Sequence, residues 1–352
     1  MTEPQRKSPH PFRLGWVPLA ILVSIGAALG CGGCAGSPVG SGDHLEPIPS
    51  PAISTPALKA SPSAPTLPAL TPLASVKTPT PGLTPSPCPL LWLGRPIPLG
   101  FTQFIDPSYP FGSTQGGTRE PHHGVDLENP QGTPVVAAAP GTVVFAGNDL
   151  HFLLGPSFNF YGNVVVLQLD REPEGHPIFL LQGHLSEIAV KVGQHVLPGD
   201  LLGRVGLTGV AIGAHLHFEV RLDTDQYTSV RNPELWLAPR SQAGTTLGAL
   251  AGRVVDASGH LLPGRTVTLR KWDDLGGLQI VRFLTTYDFE ADTAGSDDLL
   301  KENFAVTDLE PGIYQVTAYS PNLQVATTTV RPGKLAWVDL GTGPDPLPAC
   351  SH

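Results

Sequence analysis

Histidines are concentrated in one part of the chain, at spacings that could hold a metal ion. The chain has 12 histidines, and eight of them fall in its middle third. His122 precedes Asp126 by four residues. His215 precedes His217 by two, so both pairs would share one face of an extended segment, where side chains alternate. Two histidines and a carboxylate form the shell of a catalytic zinc site, with a fourth position left for water. The cluster therefore predicts hydrolytic zinc chemistry, and spacing alone leaves the choice of ligands open.

Short apolar runs surround these histidines between residues 90 and 240. They are rich in Val, Phe and Ile and are bounded by Gly, Asn, Asp or Pro, which is typical of β-strands. The runs are PVVAA (134–138), TVVFAG (142–147), NVVVLQL (163–169), IFLLQ (178–182) and HLHFEVRL (215–222). The pattern predicts a β-rich domain over residues 90–240.

A second β-rich unit is predicted over residues 247–341, after the short polar segment 241–246. Its runs include LAGRVVD (250–256), RTVTLR (265–270), IYQVTAY (313–319), VATTTV (325–330) and LAWVDL (335–340). Pro-Gly pairs between the runs are typical of turns between strands. The chain is therefore predicted to be mainly β, with two β-rich units.

The amino-terminal residues have the pattern of an exported protein. Basic residues precede an apolar run that ends at Gly30, directly before Cys31. This order is typical of a secretory signal or a membrane anchor whose positive end stays inside. The end of the run resembles a bacterial lipoprotein processing site, with Cys31 as the residue that would be lipidated. Residues 1–36 are thus expected to leave the rest of the chain outside the cytoplasm, either tethered to the membrane or secreted.

Residues 37–89 are rich in Pro, Ser, Thr and Ala and contain no aromatic residue. Such a segment has little to bury and favours extended polyproline II, so it is predicted to be a stalk. Cys88, at its end, could pair with Cys350 in an oxidising compartment. The sequence does not contain the distance between these two cysteines, so the pairing stays open.

The charge of the chain excludes one class of partner. There are 21 basic and 30 acidic residues, and the formal net charge is −9. Nucleic-acid-binding domains usually show a basic footprint, which this composition lacks. No nucleic-acid partner is therefore expected.

Three segments resemble the signatures of the lysostaphin-type (M23) metallopeptidases, in that family's order. They are His122-His123-Gly124-Val125-Asp126, Gln182-Gly183-His184-Leu185-Ser186 and His215-Leu216-His217-Phe218-Glu219. The resemblance implies that His122, Asp126 and His217 are ligands of Zn²⁺. His184 and His215 would flank the metal and act in catalysis. It also implies an antiparallel sheet with a lysostaphin/lipoyl-like motif, and an endopeptidase that hydrolyses stem or bridge peptides in bacterial peptidoglycan.

The remaining histidines of the cluster are assigned by position. His123 adjoins His122, but neighbouring residues of a strand point to opposite faces, so it is expected outside the metal shell. His151, His176 and His195 match no ligand position of the family. We expect these three on solvated strands or loops.

Two further residues bear on the site. Glu219 shares a strand face with His217 and is expected to pack or to orient that ligand in preference to transferring a proton. Many members of the family carry a tyrosine where this chain has Gln182. That departure removes no ligand, but it could change the fit of the substrate.

The second β unit resembles a carboxypeptidase-regulatory-like or transthyretin-like β-sandwich. The segments that match are Gly252-Arg253-Val254-Val255-Asp256, Leu262-Pro263-Gly264 and Leu309-Glu310-Pro311-Gly312-Ile313-Tyr314. They contain turn residues and no catalytic grouping. A spacer or a wall-binding module is expected here, since a fold of this kind says little about function.

Three other functions explain part of the sequence. A non-catalytic wall-binding regulator or scaffold of another cell-wall hydrolase would have lost ligand positions, whereas all five positions are present. A swinging-arm carrier needs a lysine at a hairpin tip, and residues 122–179 contain no lysine. A surface adhesin would explain the stalk and the last unit but leaves the histidine cluster unused. The sequence does not decide between glycine bridges and D-Ala–diaminopimelate links as the bond that is cleaved.

Overall fold

The structure is a computed structural model, and it describes residues 91–287 and 294–341. All of these residues belong to one compact unit. The predicted export segment with Cys31, the predicted stalk, Cys88 and Cys350 lie outside the described residues. Among the described residues, no helix is long and apolar enough to cross a membrane.

The first β unit is built around a seven-stranded antiparallel sheet. Its strands are β1 (Val125–Glu128), β2 (Pro134–Val136), β3 (Gly141–Asn148), β4 (Asn163–Leu169), β5 (Ile178–Gly183), β6 (Glu187–Ile188), β7 (His195–Val196), β8 (Leu201–Arg204), β9 (His215–Leu222) and β10 (Val230–Arg231). The large sheet has the order β1-β9-β5-β4-β3-β7, with β10 also paired to β9. A smaller sheet has the order β2-β8-β6.

Both faces of the large sheet are buried at its centre. Val165 and Leu167 of β4 join the main apolar cluster, while Val164 and Val166 join a second cluster on the opposite face. Strands buried on both faces have nearly continuous apolar sequences, which is why the run NVVVLQL predicted β4 at its observed bounds. The shorter strands β1, β6, β7 and β8 were not predicted, because two to four residues carry too little pattern.

The second β unit contains two sheets and a short hairpin. Its strands are β11 (Ser241–Gln242), β12 (Thr245–Thr246), β13 (Gly248–Val254), β14 (Thr266–Trp272), β15 (Leu278–Thr285), β16 (Phe304–Leu309), β17 (Gly312–Ser320), β18 (Asn322–Val330) and β19 (Leu335–Leu340). The sheets have the orders β16-β13-β19 and β15-β14-β17-β18. Buried residues of both sheets form one apolar cluster, so they pack face to face as a sandwich. The pair β13–β19 is parallel, and the other strand pairs of the two sheets are antiparallel.

The two β units share packing across the predicted polar break. Segment 241–246 forms the hairpin β11–β12. Ala251 and Ala305 of the second unit nevertheless lie in the same apolar cluster as Trp236 of the first. The division into domains at 90–240 and 247–341, and the family of the sandwich, remain predictions.

Candidate metal centre

The register of two neighbouring strands brings the first ligand candidates together. In the antiparallel pair β1–β9, Asp126 lies opposite His217 and Glu128 lies opposite His215. Directly opposed residues project their side chains to the same face. Gly124, just before β1, leaves room for this approach: a Cβ there would lie 2.4 Å from the Phe218 carbonyl oxygen and 3.0 Å from the His217 ring.

Three atoms converge at the centre of this face. His122 Nε2 lies 3.1 Å from Asp126 Oδ1 and 3.2 Å from His217 Nδ1. His217 Nδ1 lies 3.0 Å from the same Asp126 oxygen. Four ligands at 2.0–2.1 Å around a tetrahedral zinc ion would be about 3.3 Å apart. The three atoms are therefore already spaced as zinc ligands.

Hydrogen bonds on the outer side of each imidazole set which nitrogen faces inward. His122 Nδ1 lies 2.5 Å from the Tyr109 carbonyl oxygen, and His217 Nε2 lies 3.0 Å from Glu219 Oε1. Both partners can only accept, so in the neutral form of each ring this outer nitrogen carries the proton. The inward nitrogens then present lone pairs toward the Asp126 carboxylate. Three acceptors facing one point need a cation between them, and this donor set fits zinc.

The electrostatics of the centre favour a positive charge at the same point. Burial disfavours the charged form of His217, yet its hydrogen bonds to Asp126 and Glu219 outweigh burial and raise the pKa of His217 to about 9. Burial would also raise the pKa of Asp126, but the neighbouring His122 and His217 hold that pKa well below its usual range. Either a proton or a divalent metal ion can supply this positive charge. When a metal binds, it displaces the protons of its ligands.

A buried chain of charges lies behind His217. Glu219 is fully buried, and its carboxylate accepts from the Tyr161 hydroxyl at 2.5 Å and from Arg221 Nε at 2.7 Å. Arg221 is also fully buried and donates to the Tyr161 hydroxyl at 3.1 Å and to the Leu154 carbonyl at 3.1 Å. Glu219 is therefore held in place on three sides. It orients His217 and is itself compensated by a buried guanidinium.

His184 and His215 lie beside the three converging atoms and are anchored differently. His184 follows β5 with a left-handed backbone (φ 62°), a conformation that is costly for a residue with a side chain. Its Nδ1 lies 2.9 Å from the Thr208 carbonyl oxygen, and His215 Nδ1 lies 3.0 Å from the Gly213 carbonyl oxygen. The rings are 4.8 Å apart between centroids. The Nε2 of each ring is therefore the nitrogen that no backbone carbonyl holds, and His215 Nε2 is 3.6 Å from Asp126 Oδ1.

Burial keeps His184 neutral. Burial first, and then the neighbouring His217 and His215, lower the pKa of His184 to about 3. At neutral pH its Nε2 is consequently a lone pair, able to accept a hydrogen bond or a proton.

The five residues open into a cleft of about 490 Å³. Tyr109 stacks on His122 with ring centroids 4.3 Å apart, and the Arg119 guanidinium lies over the Tyr109 ring, 5.0 Å from its centroid. Phe160 and the exposed Ile212 also line the cleft. An extended peptide would meet both aromatic and apolar walls here.

The other histidines of the cluster are not among the three residues whose ligand atoms converge. The buried ring of His123 stacks on Tyr227 with centroids 3.6 Å apart and is not among the converging ligand atoms. His176 and His195 pair with aspartates, at 2.5 and 2.8 Å, and do not line the cleft. His151 is exposed at the end of a 3-10 helix.

Gln182 lies on the opposite face of its strand from the site. Its register partners are Val165 and Phe218, which both belong to the main apolar cluster. Its side chain is fully buried, and neither polar atom has a hydrogen-bond partner in the described structure. The structure therefore gives no support to an effect of Gln182 on substrate fit.

Sequence reasoning missed Tyr161, Arg221 and Tyr109. Arg221 could have been found, because it follows His215, His217 and Glu219 at every second position of β9. Tyr161 is 58 residues from Glu219 and lies in no strand. Its place depends on the buried Asp149, whose carboxylate accepts from the Tyr161 and Gly162 amides at 2.8 and 2.9 Å.

The chain is similar to known proteins over part of its length. The cell division protein DipM of Caulobacter vibrioides is 37% identical over 105 residues, which are 30% of this chain and 15% of DipM. The DD-carboxypeptidase/endopeptidase Mpg of Neisseria meningitidis is 32% identical over 148 residues, 39% of this chain and 31% of Mpg. The chain thus spans less than a third of the length of either relative.

Among solved structures, the chain is similar to the catalytic domain of the antimicrobial peptidase lysostaphin from Staphylococcus simulans. The two are 30% identical, with 37% of this chain and 86% of that chain covered and a TM-score of 0.29. The model of Peptidase family M23 matches residues 120–229. This match contains all five residues of the centre, from His122 to His217.

Proposed function

We propose that this chain is a zinc-dependent endopeptidase that hydrolyses peptide cross-links of bacterial peptidoglycan. The observation that carries the proposal is the convergence of His122 Nε2, Asp126 Oδ1 and His217 Nδ1 at 3.0 to 3.2 Å, with both imidazole protons turned outward. The family match over residues 120–229 supports it, as does the likeness to Mpg, whose name gives an endopeptidase.

The metal would be held by His122, Asp126 and His217. When bound, zinc supplies Lewis acidity, which polarises a carbonyl oxygen and makes water a nucleophile at neutral pH. Glu219 keeps the proton of His217 on Nε2, so that Nδ1 stays available as a ligand atom. The Tyr109 backbone carbonyl keeps the proton of His122 on Nδ1, so that Nε2 of His122 stays available as a ligand atom.

His184 and His215 would move the protons. Their Nδ1–H groups are held by the Thr208 and Gly213 carbonyls, so Nε2 is the atom that each offers to the substrate. A neutral Nε2 can accept a proton from attacking water, and the resulting imidazolium can donate it to the departing amine. The same N–H could stabilise negative charge that develops on the carbonyl oxygen. Two rings 4.8 Å apart can divide these tasks.

We further propose that the protein acts outside the cytoplasm. The basic flank and apolar run before Cys31 favour export, with a membrane tether if Cys31 is lipidated. Cleavage of wall peptides requires that location. Labelling cells with radioactive palmitate and comparing the wild type with Cys31→Ser tests the tether, and label in both proteins or in neither would reject it.

The test of the function is digestion of purified cell walls that differ in cross-link chemistry. The freed termini are identified by mass spectrometry, and zinc is measured in the same preparation. New amino termini from cross-links, lost when a chelator removes zinc and regained on zinc addition, are expected. A protein that binds zinc, binds walls and releases no peptide would favour the regulatory alternative.

A further inference from the structure

One ligand candidate lies on a segment that belongs to no strand of the sheet. Residues 109–122 carry both His122 and the Tyr109 carbonyl that fixes its tautomer. Two backbone hydrogen bonds fold this segment back on itself: His122 N–H donates to the Ser113 carbonyl at 3.0 Å, and Gly112 N–H donates to the His122 carbonyl at 2.7 Å. The position of His122 therefore depends on what holds residues 112 and 113.

The second β unit supplies a support at that point. The Tyr287 ring, just beyond β15, contacts Phe111 edge to face with centroids 5.1 Å apart. It also lies directly against Gly112, where a Cβ would be 3.0 Å from the Tyr287 ring, and where φ is +72°. Tyr287 and Phe111 are each 2% exposed and share an apolar cluster with Val230 and Ala294. The ring thus fills the space beneath the turn at Phe111 and Gly112.

Tyr287 is itself held by contacts between the two units. The Asn232 side-chain amide donates to the Tyr287 hydroxyl. The other amide atom of Asn232 accepts the Glu234 N–H at 2.9 Å, and Glu234 in turn accepts the Thr307 N–H of β16 at 2.7 Å. Because these groups are buried, the loss of any one of these hydrogen bonds leaves a buried polar group without its partner, which is costly. The ring therefore has a fixed place relative to the first unit.

We propose that the second β unit is part of the scaffold of the metal centre, and that Tyr287 is the positioning residue through which it acts. By filling the space under Phe111 and Gly112, Tyr287 holds the segment that presents His122 Nε2 and the Tyr109 carbonyl. A loosened segment would misplace a ligand and its hydrogen-bond acceptor together. The inference rests on the proposed zinc site and gives the second unit a function other than that of a spacer.

The first test compares two tyrosine substitutions within the same unit. Tyr287→Leu removes the contact with the segment. Tyr314→Leu is the matched control, because Tyr314 is 1% exposed and lies in the core of the sandwich. Zinc affinity is measured by competition with a chromophoric chelator. We expect Tyr287→Leu to weaken zinc binding about tenfold or more, the usual scale for residues that support a ligand, and Tyr314→Leu to leave it unchanged. Tyr287→Phe keeps the ring and should restore most of the affinity.

The second test measures how firmly residues 109–122 are held when no zinc is bound. Hydrogen exchange of the Gly112 and His122 amides is followed in the zinc-free protein. Both should exchange faster in Tyr287→Leu than in the wild type or in Tyr314→Leu. If Tyr287→Leu does not fold, Phe111→Leu breaks the same ring contact from the other side and should produce both changes.

Two results would overturn the inference. Zinc affinity and amide exchange in Tyr287→Leu equal to the wild type would show that the ring supports nothing. An equal loss of affinity in Tyr314→Leu would mean that the effect is general destabilisation. A wild-type protein that binds no zinc would instead refute the proposed function, and the amide exchange would still test the contact.

Discussion

Two histidines of the centre, His217 and His184, are held in different ways. His217 lies within a sheet, and its outer nitrogen bonds to the fully buried Glu219 carboxylate. His184 lies just outside a strand, with a left-handed backbone, and its outer nitrogen bonds to a backbone carbonyl. A carboxylate partner makes an imidazole a stronger electron donor, which suits a metal ligand. The carbonyl partner of His184 adds no negative charge, and burial lowers the pKa of this ring to about 3, so the ring is neutral at pH 7 and its Nε2 can accept a proton.

His217 is thereby suited to metal binding and His184 to proton transfer within one cleft. Asp126 and His217 are fixed by strand register and by a buried charge chain, whereas His122 is held by the Tyr109 carbonyl and by backbone hydrogen bonds to residues 112 and 113. His184 and His215 line the cleft, and the Nδ1 of each lies within hydrogen-bond distance of one backbone carbonyl. Substitutions on the two sides should therefore have different consequences.

The largest effect is expected on the ligand side. His217→Ala removes one of three protein ligands and leaves Asp126 and Glu219 without their shared partner. Elemental analysis should show that most of the zinc is lost, and wall digestion should fall to background. His195→Ala, which removes a surface histidine paired with Asp170, is the control and should keep one zinc per chain. Full zinc occupancy in His217→Ala would refute the ligand assignment.

A smaller effect is expected on the proton-transfer side. His215→Ala and His184→Asn should keep zinc, since neither residue is needed to complete the ligand set. Asn is chosen at 184 because it tolerates a left-handed backbone. Turnover of wall peptides should fall by about 10² or more, the scale for a lost acid–base group. Near wild-type digestion by either variant would contradict its proposed role in catalysis.

Substitution of Glu219 in the buried charge chain behind His217 should have an intermediate effect, measured as a loss of zinc affinity. Glu219→Gln removes the carboxylate that orients His217, and zinc affinity should weaken by about 10- to 100-fold. It also leaves the buried Arg221 without its counter-charge, which costs about 3–5 kcal/mol of stability. The double variant Glu219→Gln/Arg221→Met should regain stability without regaining affinity. Chelator competition and thermal unfolding measure the two quantities separately, and recovery of both together would show that Glu219 acts only through stability.

The smallest effect is expected on the core face of β5. Gln182→Leu replaces a buried amide without hydrogen-bond partners by an apolar side chain of similar size. Chemical denaturation should show a free energy of unfolding raised by about 1 kcal/mol, with wall digestion unchanged. A marked change in substrate preference would show that this face of the strand communicates with the cleft after all.

Local patterns explain which parts of this molecule could be predicted from sequence. Strands β4 and β9 were predicted at their observed bounds. Each is one continuous run of seven or eight apolar or alternating residues, which identifies the strand without knowledge of its neighbours in the sheet. The strands β15 and β16 were missed. Most of β15 is exposed in spite of its apolar residues, and its pattern indicates no buried face.

The residues of the site also fall into those that local sequence predicted and those that it did not. The three motifs named the five residues that the structure brings together, because each motif is short and continuous. Tyr161 and Tyr287 reach the centre from distant parts of the chain, through Glu219 and through Phe111. Contacts of that kind depend on how whole elements pack, and no local spacing records them.

The central claim is that His122, Asp126 and His217 hold one zinc ion while His184 and His215 remain outside its shell. Crystals of the zinc-loaded protein, measured at the zinc absorption edge, test it most directly. We predict a single anomalous peak about 2.0–2.2 Å from His122 Nε2, Asp126 Oδ1 and His217 Nδ1. A peak bonded to the Nε2 of His184 or His215, or no peak at this site, would contradict the account.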